Sequence, residues 1–273
     1  YMPLYIFCGE HLLCARLRPS NQDGAAGSVE ELERIVSQIR QHWPKTRIII
    51  RGDSGFCRDP IMTWCEDNDV GYVLGLARNK RLNRALGQEM HEAHLAHERT
   101  GKAARRYRDF RYRTRKSWSC ERRVVGKAEY LPGKANPRFV VTNLPKYRAG
   151  ARRLYEKLYC VRGEMENRIK EQQLGLFADR TSTATMRANQ LRLYFSSFAY
   201  VLMYGLRRLG LEDTQHARAQ CTTIRLKLLK IGARIKITVR KVWLSFSEAY
   251  PYASDIARIL ANVRRHPAWA PPG

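Results

Sequence analysis

The stretch Ile48-Ile49-Ile50-Arg51-Gly52-Asp53-Ser54-Gly55-Phe56 (48–56) decides the fold that this sequence predicts. Its three consecutive isoleucines are β-branched and apolar, which is typical of a central strand that is buried on both faces of a sheet. Asp53 follows at the carboxyl end of that strand, where open α/β sheets place their ligands. The stretch therefore predicts an α/β fold with a carboxylate in a functional position.

Short elements of alternating type surround this strand. The apolar runs 3–8 and 12–17 are separated by a turn-forming Gly-Glu-His and predict a β-hairpin. A helix over 59–68 and a strand over 71–76 follow the central strand. Together with a helix that precedes residue 44, they give the order β-β-α-β-α-β, which predicts an α/β domain.

The helix between the hairpin and the isoleucine strand has clear end signals. Ser28 with Glu31 three residues later predicts a capping box at its start, and Pro44 predicts its end. Apolar residues recur at helical spacing between those limits.

The composition indicates a globular protein that binds a polyanion. The protein has 273 residues, 44% of them hydrophobic, and 50 Lys and Arg against 25 Asp and Glu, a net charge of +25. That apolar content excludes intrinsic disorder, and the charge predicts nucleic acid as the partner. The apolar stretch 193–206 is too short to cross a membrane and predicts a buried helix instead, so no membrane partner is expected.

Basic residues are concentrated in one segment of the middle of the chain. Between residues 99 and 127 there are 12 Lys or Arg against two acids, with aromatic residues interleaved. The alternation predicts antiparallel strands with one charged face, which could stack bases and contact phosphates. The DNA-contact residues predicted in this segment are Arg105, Arg106, Arg111, Arg113 and Arg115. A second basic segment, 214–247, contains no acid at all.

These composition shifts predict four parts: 1–77 and 149–210 as two halves of an α/β core, 78–148 as a β-rich basic insertion, and 211–273 as a basic C-terminal region. The Pro-rich end, 267–273, is expected to be a frayed tail. The seven scattered cysteines include no Cys-x-x-Cys pair, which predicts reduced thiols and a cytoplasmic protein.

A polar stripe is predicted on one helix of the second half of the core. Tyr159, Arg162, Glu166, Lys170 and Gln173 follow one another at steps of three and four residues, so they share a helical face. The alternative interpretation is a solvated face with an ordinary Glu166–Lys170 pair.

This stretch resembles the signature of bacterial DDE insertion-sequence transposases: Tyr, two residues, Arg, three residues, Glu, six residues, Lys. Tyr159, Arg162 and Glu166 match the signature, and Gln173 stands in the position of its Lys. The sequence RGDSGF, which contains Asp53, is similar to the second-aspartate motif of the same family. The segment 222–253 is also similar to these proteins, so the resemblance extends along the chain.

The resemblance implies a ribonuclease-H-like mixed sheet flanked by helices, with the β-rich basic insertion placed before the catalytic Glu helix. It implies that Asp53 and Glu166 are catalytic and bind two Mg²⁺ (or Mn²⁺) ions, while Tyr159, Arg162 and Lys170 contact phosphate. The implied function is metal-dependent cleavage and transfer of DNA strands at the ends of an insertion sequence. The implied partners are double-stranded DNA, at the element ends and the target, and a second copy of the protein, with a nucleoid-associated location in the cytoplasm.

One member of the implied carboxylate set has no counterpart. The family's first aspartate belongs to a strand before the hairpin, and no acid precedes Glu10. We therefore expect this sequence to be a C-terminal portion that is inactive alone. Two alternatives stay open at this point: a catalytically inactive, nucleic-acid-binding remnant of a transposase, and an unrelated basic nuclease. A His91-x-x-His94-x-x-His97 pattern could bind a metal, but no Cys or second cluster supports such a site, and a solvated helix face is the favoured interpretation.

Overall fold

A computed structural model describes residues 1–265 in two compact units. One unit comprises Ser20–Glu164, and the other comprises Tyr1–Pro19 together with the chain from Met165 onward. The predicted Pro-rich tail, 267–273, lies outside the described residues.

The regular elements are numbered in chain order. The strands are β1 (Leu4–Cys8), β2 (His11–Arg16), β3 (Ile49–Gly52), β4 (Gly71–Leu76), β5 (Ala104–Tyr112), β6 (Arg122–Leu131), β7 (Lys134–Ala135), β8 (Arg138–Thr142), β9 (Ala233–Ile237) and β10 (Val242–Phe246). The helices are α1 (Ser28–His42), α2 (Asp59–Asp67), α3 (Lys80–Ala85), α4 (Gly87–Thr100), α5 (Ala151–Arg153), α6 (Gly163–Lys170), α7 (Met186–Gly205), α8 (Cys221–Ile224) and α9 (Ala253–Arg265).

The unit Ser20–Glu164 is built on one mixed sheet. Its strands run in the order β3-β4-β8-β6-β5, and β7 pairs with β6. β3 and β4 are parallel, whereas every other pairing is antiparallel. The protein is therefore a mixed α/β structure, and the basic strands continue the same sheet as the strand that precedes Asp53.

The core of this unit lies where the sheet packs against the segment after β8. Strands β4, β6 and β8 contribute valines that are fully buried, because the sheet is covered at its centre. The buried cluster consists of Val73, Val125, Val140, Leu144, Ala149, Leu154 and Tyr155. Fully burying a valine or leucine side chain stabilises the fold by about 1.5–3 kcal/mol.

The sequence predictions for β3 and α1 are correct in position but wrong in detail. β3 is an edge strand of its sheet, and Ile49 and Ile50 are only half-buried, so the predicted central strand is wrong. The capping box is also wrong. Gly27 precedes α1 with φ 74°, a left-handed conformation that favours glycine, and no side chain caps the helix. Ser28 instead lies inside the first turn, where it is buried.

The predicted single charged face of the basic strands is wrong as well. Side chains alternate between the two faces of a strand, so Arg105 and Arg111 lie on one face of β5 while Arg106 and Arg108 lie on the other. Arg108 lies 3.4 Å from the carboxylate of Glu89 on α4. Helix α4 thus contacts Arg108, on one face of β5, whereas the sequence predicted that all the arginines would lie together on one exposed face.

The second unit forms around the β1–β2 hairpin and α7. The hairpin is confirmed, and its strands are antiparallel. The Gln190 amide Oε1 on α7 accepts a hydrogen bond from the Leu17 backbone N–H at 2.6 Å, and the Tyr200 hydroxyl donates to the Glu10 carbonyl at 3.1 Å. The predicted buried helix is confirmed for one face of α7 and wrong for the other: Leu193 is 2% exposed, whereas Leu202 is 74% exposed.

A buried ion-pair network joins α2 to the sheet within Ser20–Glu164. The guanidinium of Arg122, whose side chain is 2% exposed, lies 2.6 Å from Asp59 and 2.7 Å from Glu66. Burial raises the pKa of both carboxyl groups, but hydrogen bonds from Arg122, with others from Ser119 and Tyr72, outweigh it, and both pKa values lie below the usual range. The network is therefore fully charged near neutral pH.

Replacing Arg122 with Met should destabilise the protein by about 3 kcal/mol at neutral pH, because the carboxylates of Asp59 and Glu66 then lose their positively charged partner. A carboxylate with a lowered pKa stabilises the fold above its ordinary pKa and loses that contribution as the pH falls. The difference between the two proteins should therefore shrink below about pH 4. Urea unfolding at a series of pH values measures both effects. Arg111→Met, at an exposed arginine of the neighbouring strand, is the matched control, and equal losses from the two variants would contradict the assignment.

Candidate catalytic site

Asp53 occupies the turn that follows β3. Its side chain is exposed and caps a single 3-10 turn, Ser54–Phe56, by accepting a hydrogen bond from the Gly55 N–H at 2.8 Å. A Cβ atom at Gly55 would lie 2.9 Å from the Asp53 Oδ1 atom, so this hydrogen bond needs glycine there. One carboxylate oxygen of Asp53 is thereby oriented by the backbone.

Tyr159 lies directly against this turn. Gly75 on β4 faces both: a Cβ atom there would meet the Tyr159 hydroxyl at 2.6 Å, the Ser54 nitrogen at 3.0 Å and the Asp53 carbonyl carbon at 3.2 Å. A glycine inside a strand often marks such a close approach. The missing side chain at position 75 is therefore what allows the tyrosine to reach the backbone next to Asp53.

Charge couples three of the residues singled out by the sequence. The pKa of Tyr159 is raised, first because the ring is half-buried. Arg162 lowers the pKa of Tyr159 through its charge and a hydrogen bond. The negative charge of the Asp53 carboxylate raises it. The Arg162 guanidinium carbon lies 5.7 Å from the centre of the Tyr159 ring. The structure thus brings Asp53, Tyr159 and Arg162 together.

Packing against the sheet fixes the segment that carries Tyr159. Leu158 and Tyr159 rest on the buried cluster described above. Arg51 of β3 donates a hydrogen bond to the Leu158 carbonyl at 3.2 Å, and the Tyr107 hydroxyl of β5 donates to Glu156 at 2.9 Å. The tyrosine is therefore held from two strands of the sheet.

The predicted helix exists over this segment, but it is not a uniform α-helix. After α5 come a π-helical segment, Leu154–Tyr159, and a 3-10 turn, Cys160–Arg162, before α6 begins. A second π-helical segment, Glu171–Gly175, follows α6. The α-helical spacing used to place Tyr159 and Gln173 on one face with Glu166 is therefore wrong in detail. π-helical turns inside helices are frequent at functional sites.

Glu166 and Lys170 lie on α6, four residues apart, and both are exposed. They belong to the unit that comprises Tyr1–Pro19 and the chain from Met165 onward. Asp53, Tyr159 and Arg162 belong to the other unit, Ser20–Glu164. Gln173 is half-buried in the π-helical segment after α6. The convergence of Glu166 with Asp53 stays a prediction.

The five arginines predicted to contact DNA are all exposed, but most also contact protein atoms. Arg105 lies 2.6 Å from the buried Glu129, whose hydrogen bond raises the pKa of the arginine. Arg106 lies 3.7 Å from Glu92. Arg111 and Arg113 each donate to a backbone carbonyl, that of Glu121 at 2.9 Å and that of Trp118 at 3.1 Å. Arg115 lies in the loop that follows β5. Their contact with DNA stays a prediction.

The histidines of α4 have aromatic partners. The rings of His94 and His97 lie 4.3 Å and 5.2 Å from the ring of Tyr130 on β6, and His97 Nδ1 lies 2.8 Å from the Lys102 carbonyl oxygen. Among residues 1–265, no group of three or more His, Cys, Asp and Glu side chains is placed to hold a metal ion.

The donor chemistry of Asp53 suits a divalent cation. Magnesium prefers oxygen ligands and keeps several waters, so it can be held by few carboxylates. One Asp53 oxygen accepts the Gly55 N–H, and a carboxylate has further lone-pair sites for a cation. The exposed position of Asp53 at a strand end leaves those sites accessible. Asp53 therefore fits as one ligand of a Mg²⁺ or Mn²⁺ ion.

Sequence reasoning missed two residues that shape this site. Gly75, in the strand Gly71–Leu76, could have been found, since an isolated glycine in an apolar strand suggests a close backbone approach. Arg51 carries no such signal, because its hydrogen bond to Leu158 joins residues 107 positions apart.

All seven cysteines are in the reduced thiol form. In the described part of the chain, no helix is both long enough and apolar enough to traverse a bilayer.

Comparison with known protein families identifies a match over nearly the whole chain. The family described as transposase DDE domain group 1 matches residues 1–268. The matched range includes Asp53, Tyr159, Arg162 and Glu166. No curated protein matches the chain.

Gly75→Ala should destabilise the protein by about 1–3 kcal/mol, because the added methyl group collides with the Tyr159 hydroxyl and the Ser54 N–H. Adding Tyr159→Phe should recover part of that loss, since it removes the nearest atom. Urea unfolding of the single and double variants measures both effects. Gly163→Ala is the control, because a Cβ there meets nothing within 4 Å. An unchanged stability in Gly75→Ala, or no recovery in the double variant, would refute the close approach.

The pKa of Tyr159 should respond to both neighbours in opposite directions. Arg162→Gln should raise it further, since a nearby positive charge favours the phenolate, and Asp53→Asn should lower it, since a negative charge opposes the phenolate. The ¹³C signal of the phenolic carbon of Tyr159, followed by NMR through alkaline pH, reports the titration. A tyrosine that is indifferent to both changes would show that the three groups are not close.

Proposed function

The chain belongs to the transposase DDE domain group 1 family, and on that premise we propose that it cleaves and transfers DNA strands at the ends of an insertion sequence with the help of divalent metal ions. It is a DDE-type insertion-sequence transposase domain, so the alternative of an unrelated basic nuclease is wrong. The observation that carries the proposal is the grouping of Asp53, Tyr159 and Arg162 at the carboxyl end of β3.

Asp53 and Glu166 hold the metal in this proposal, with Mg²⁺ or Mn²⁺ as two ions. When bound, such ions polarise the phosphoryl group and lower the pKa of the attacking water or hydroxyl. The orientation of Asp53 by the Gly55 N–H supports its role as a ligand, because a preorganised ligand loses less freedom on binding. Glu166 contributes the second carboxylate from α6.

Tyr159 and Arg162 bind the phosphate next to the bond that is cut. A tyrosine hydroxyl is protonated at neutral pH, and the raised pKa of Tyr159 acts in the same direction, so the hydroxyl can donate a hydrogen bond to a phosphate oxygen. Arg162 supplies planar N–H donors and a positive charge, which suit a phosphate. Lys170, on the same helix as Glu166, acts as a further point charge toward the DNA backbone.

Several finer features belong to the same proposal. The sheet belongs to the ribonuclease-H-like class, and the four parts 1–77, 78–148, 149–210 and 211–273 divide the chain. The partner is double-stranded DNA, at the element ends and at the target, and the protein acts as a homodimer on paired ends in the cytoplasm, associated with the nucleoid. The net charge of +25 supports the DNA partner, because each phosphate contact releases condensed counterions.

The experiment compares carboxylate variants of the protein expressed from its whole reading frame. Asp53→Asn and Glu166→Gln should each reduce Mg²⁺-dependent cleavage of DNA that carries the element ends by at least about a thousandfold, equivalent to about 4 kcal/mol of transition-state stabilisation. Gel-shift assays should show that binding of the ends persists. Each substitution removes one negative charge without changing the shape of the side chain.

Glu164→Gln and Asp67→Asn are the matched controls, since both alter exposed carboxylates that have no role in the proposal. Full cleavage by Glu166→Gln would remove that residue from the site. DNA binding without cleavage by the unaltered protein would favour the alternative of a catalytically inactive, nucleic-acid-binding remnant of a transposase.

A further inference from the structure

Strands β9 and β10 form a two-stranded ribbon with two unlike faces. Cross-strand partners share a face, and the pairs alternate along the ladder. One face is wholly apolar, with Ala233, Ile235, Ile237, Val242, Leu244 and Phe246. The other carries Arg234 opposite Ser245, Lys236 opposite Trp243, and Lys241 opposite Thr238.

Both faces of the ribbon are exposed to solvent. Every residue of β9 is exposed, as are all those of β10 except Phe246, which is half-buried. A tight turn closes the ribbon: the Thr238 N–H donates to the Lys241 carbonyl at 2.8 Å, and the Thr238 hydroxyl donates to the same oxygen at 2.9 Å. The turn therefore fixes the register of the two strands.

Trp243 organises the charges of the basic face. The Lys241 ammonium nitrogen lies 5.7 Å from the centre of the Trp243 ring, a cation–π distance, and Lys236 is its direct cross-strand neighbour. The indole thus shares its face with two neighbouring lysines and is 54% exposed, so it can contact a sugar while the lysines contact phosphates.

We propose that the basic face of this ribbon, formed by Arg234, Lys236, Lys241 and Trp243, contacts the sugar–phosphate backbone of double-stranded DNA. This inference rests on the proposed function, because it assigns a contact surface to the same DNA. Charge complementarity carries it: residues 214–247 contain no Asp or Glu, so no carboxylate of the segment neutralises the face. A two-stranded ribbon also has the width that the major groove admits.

An anionic membrane is the alternative partner of this ribbon, and the test below separates it from a duplex. A ribbon that lies on a bilayer must insert its apolar face, whereas contact with a duplex needs only the basic face. Contact through the basic face alone matches a polyanion that is approached from outside, as a duplex is.

Two pairs of variants test the inference in the full chain, with a short duplex of arbitrary sequence as the probe. Lys236→Gln with Lys241→Gln removes two charges from the basic face. The control, Lys45→Gln with Arg47→Gln, removes two charges from an exposed loop at the amino end of β3. Fluorescence anisotropy over a series of salt concentrations should show that the ribbon variant lowers the slope of log affinity against log salt by about 2, and that the control leaves it unchanged.

The second pair separates the two faces. Trp243 and Leu244 are adjacent and almost equally exposed, at 54% and 55%, but they lie on opposite faces. Trp243→Ala should weaken duplex binding severalfold, because it removes the indole that would contact the sugar and the ring that orients Lys241, and Leu244→Ala should not. Circular dichroism of each variant verifies that the fold is retained.

Equal salt slopes for the ribbon variant and the unaltered protein would overturn the inference, as would equal losses from Trp243→Ala and Leu244→Ala. If Lys236→Gln with Lys241→Gln abolished binding to vesicles with anionic headgroups and left duplex binding intact, the basic face would be assigned to a membrane and the inference would be overturned as well. Each of these results leaves the cleavage assay of Asp53 and Glu166 untouched. A protein that binds no duplex at all would overturn both the inference and the proposed function.

Discussion

The close approach of Tyr159 to the backbone beside Asp53 is the constraint on which the candidate site depends. It requires that residue 75 have no Cβ atom, which only glycine provides. It also requires hydrophobic packing that holds the helical segment Leu154–Tyr159 against the sheet. Because the Tyr159 ring is half-buried there, its pKa rises, and its two charged neighbours act on it in opposite senses. The geometry of the sheet thus determines where the hydroxyl lies and which charged groups act on its pKa.

The positive charge of the protein is used in two ways. In the unit Ser20–Glu164, arginines are paired with carboxylates: Arg122 with Asp59 and Glu66, and Arg105 with Glu129. Those pairs satisfy groups that would be costly to bury alone. The β9–β10 ribbon has a different character, since its segment contains no acid. A high density of basic residues in a segment therefore does not show whether each arginine forms an ion pair within the protein or stays available to DNA.

The sequence predicted the elements better than their surroundings. The hairpin, α1, α2 and the strand Gly71–Leu76 are where periodicity and end signals place them, because those signals are local. The central position of β3 was wrong, since an apolar run reports hydrophobicity and not which strands pair with it. The capping of α1 was wrong because Gly27 provides a left-handed residue where a side-chain cap was expected.

The candidate site was predictable to the extent that its residues carry a sequence signature. Tyr159, Arg162 and Asp53 were named from motifs and do lie together, whereas Gly75 and Arg51 act through contacts that only the folded sheet reveals. The central claim is that Asp53 and Glu166 ligate a shared divalent metal. Anomalous diffraction at the manganese edge, from crystals of the whole protein with Mn²⁺ and element-end DNA, tests it most directly. Our account predicts an anomalous peak about 2.1 Å from carboxylate oxygens of both residues, and a peak bound by neither or by only one of them would contradict it.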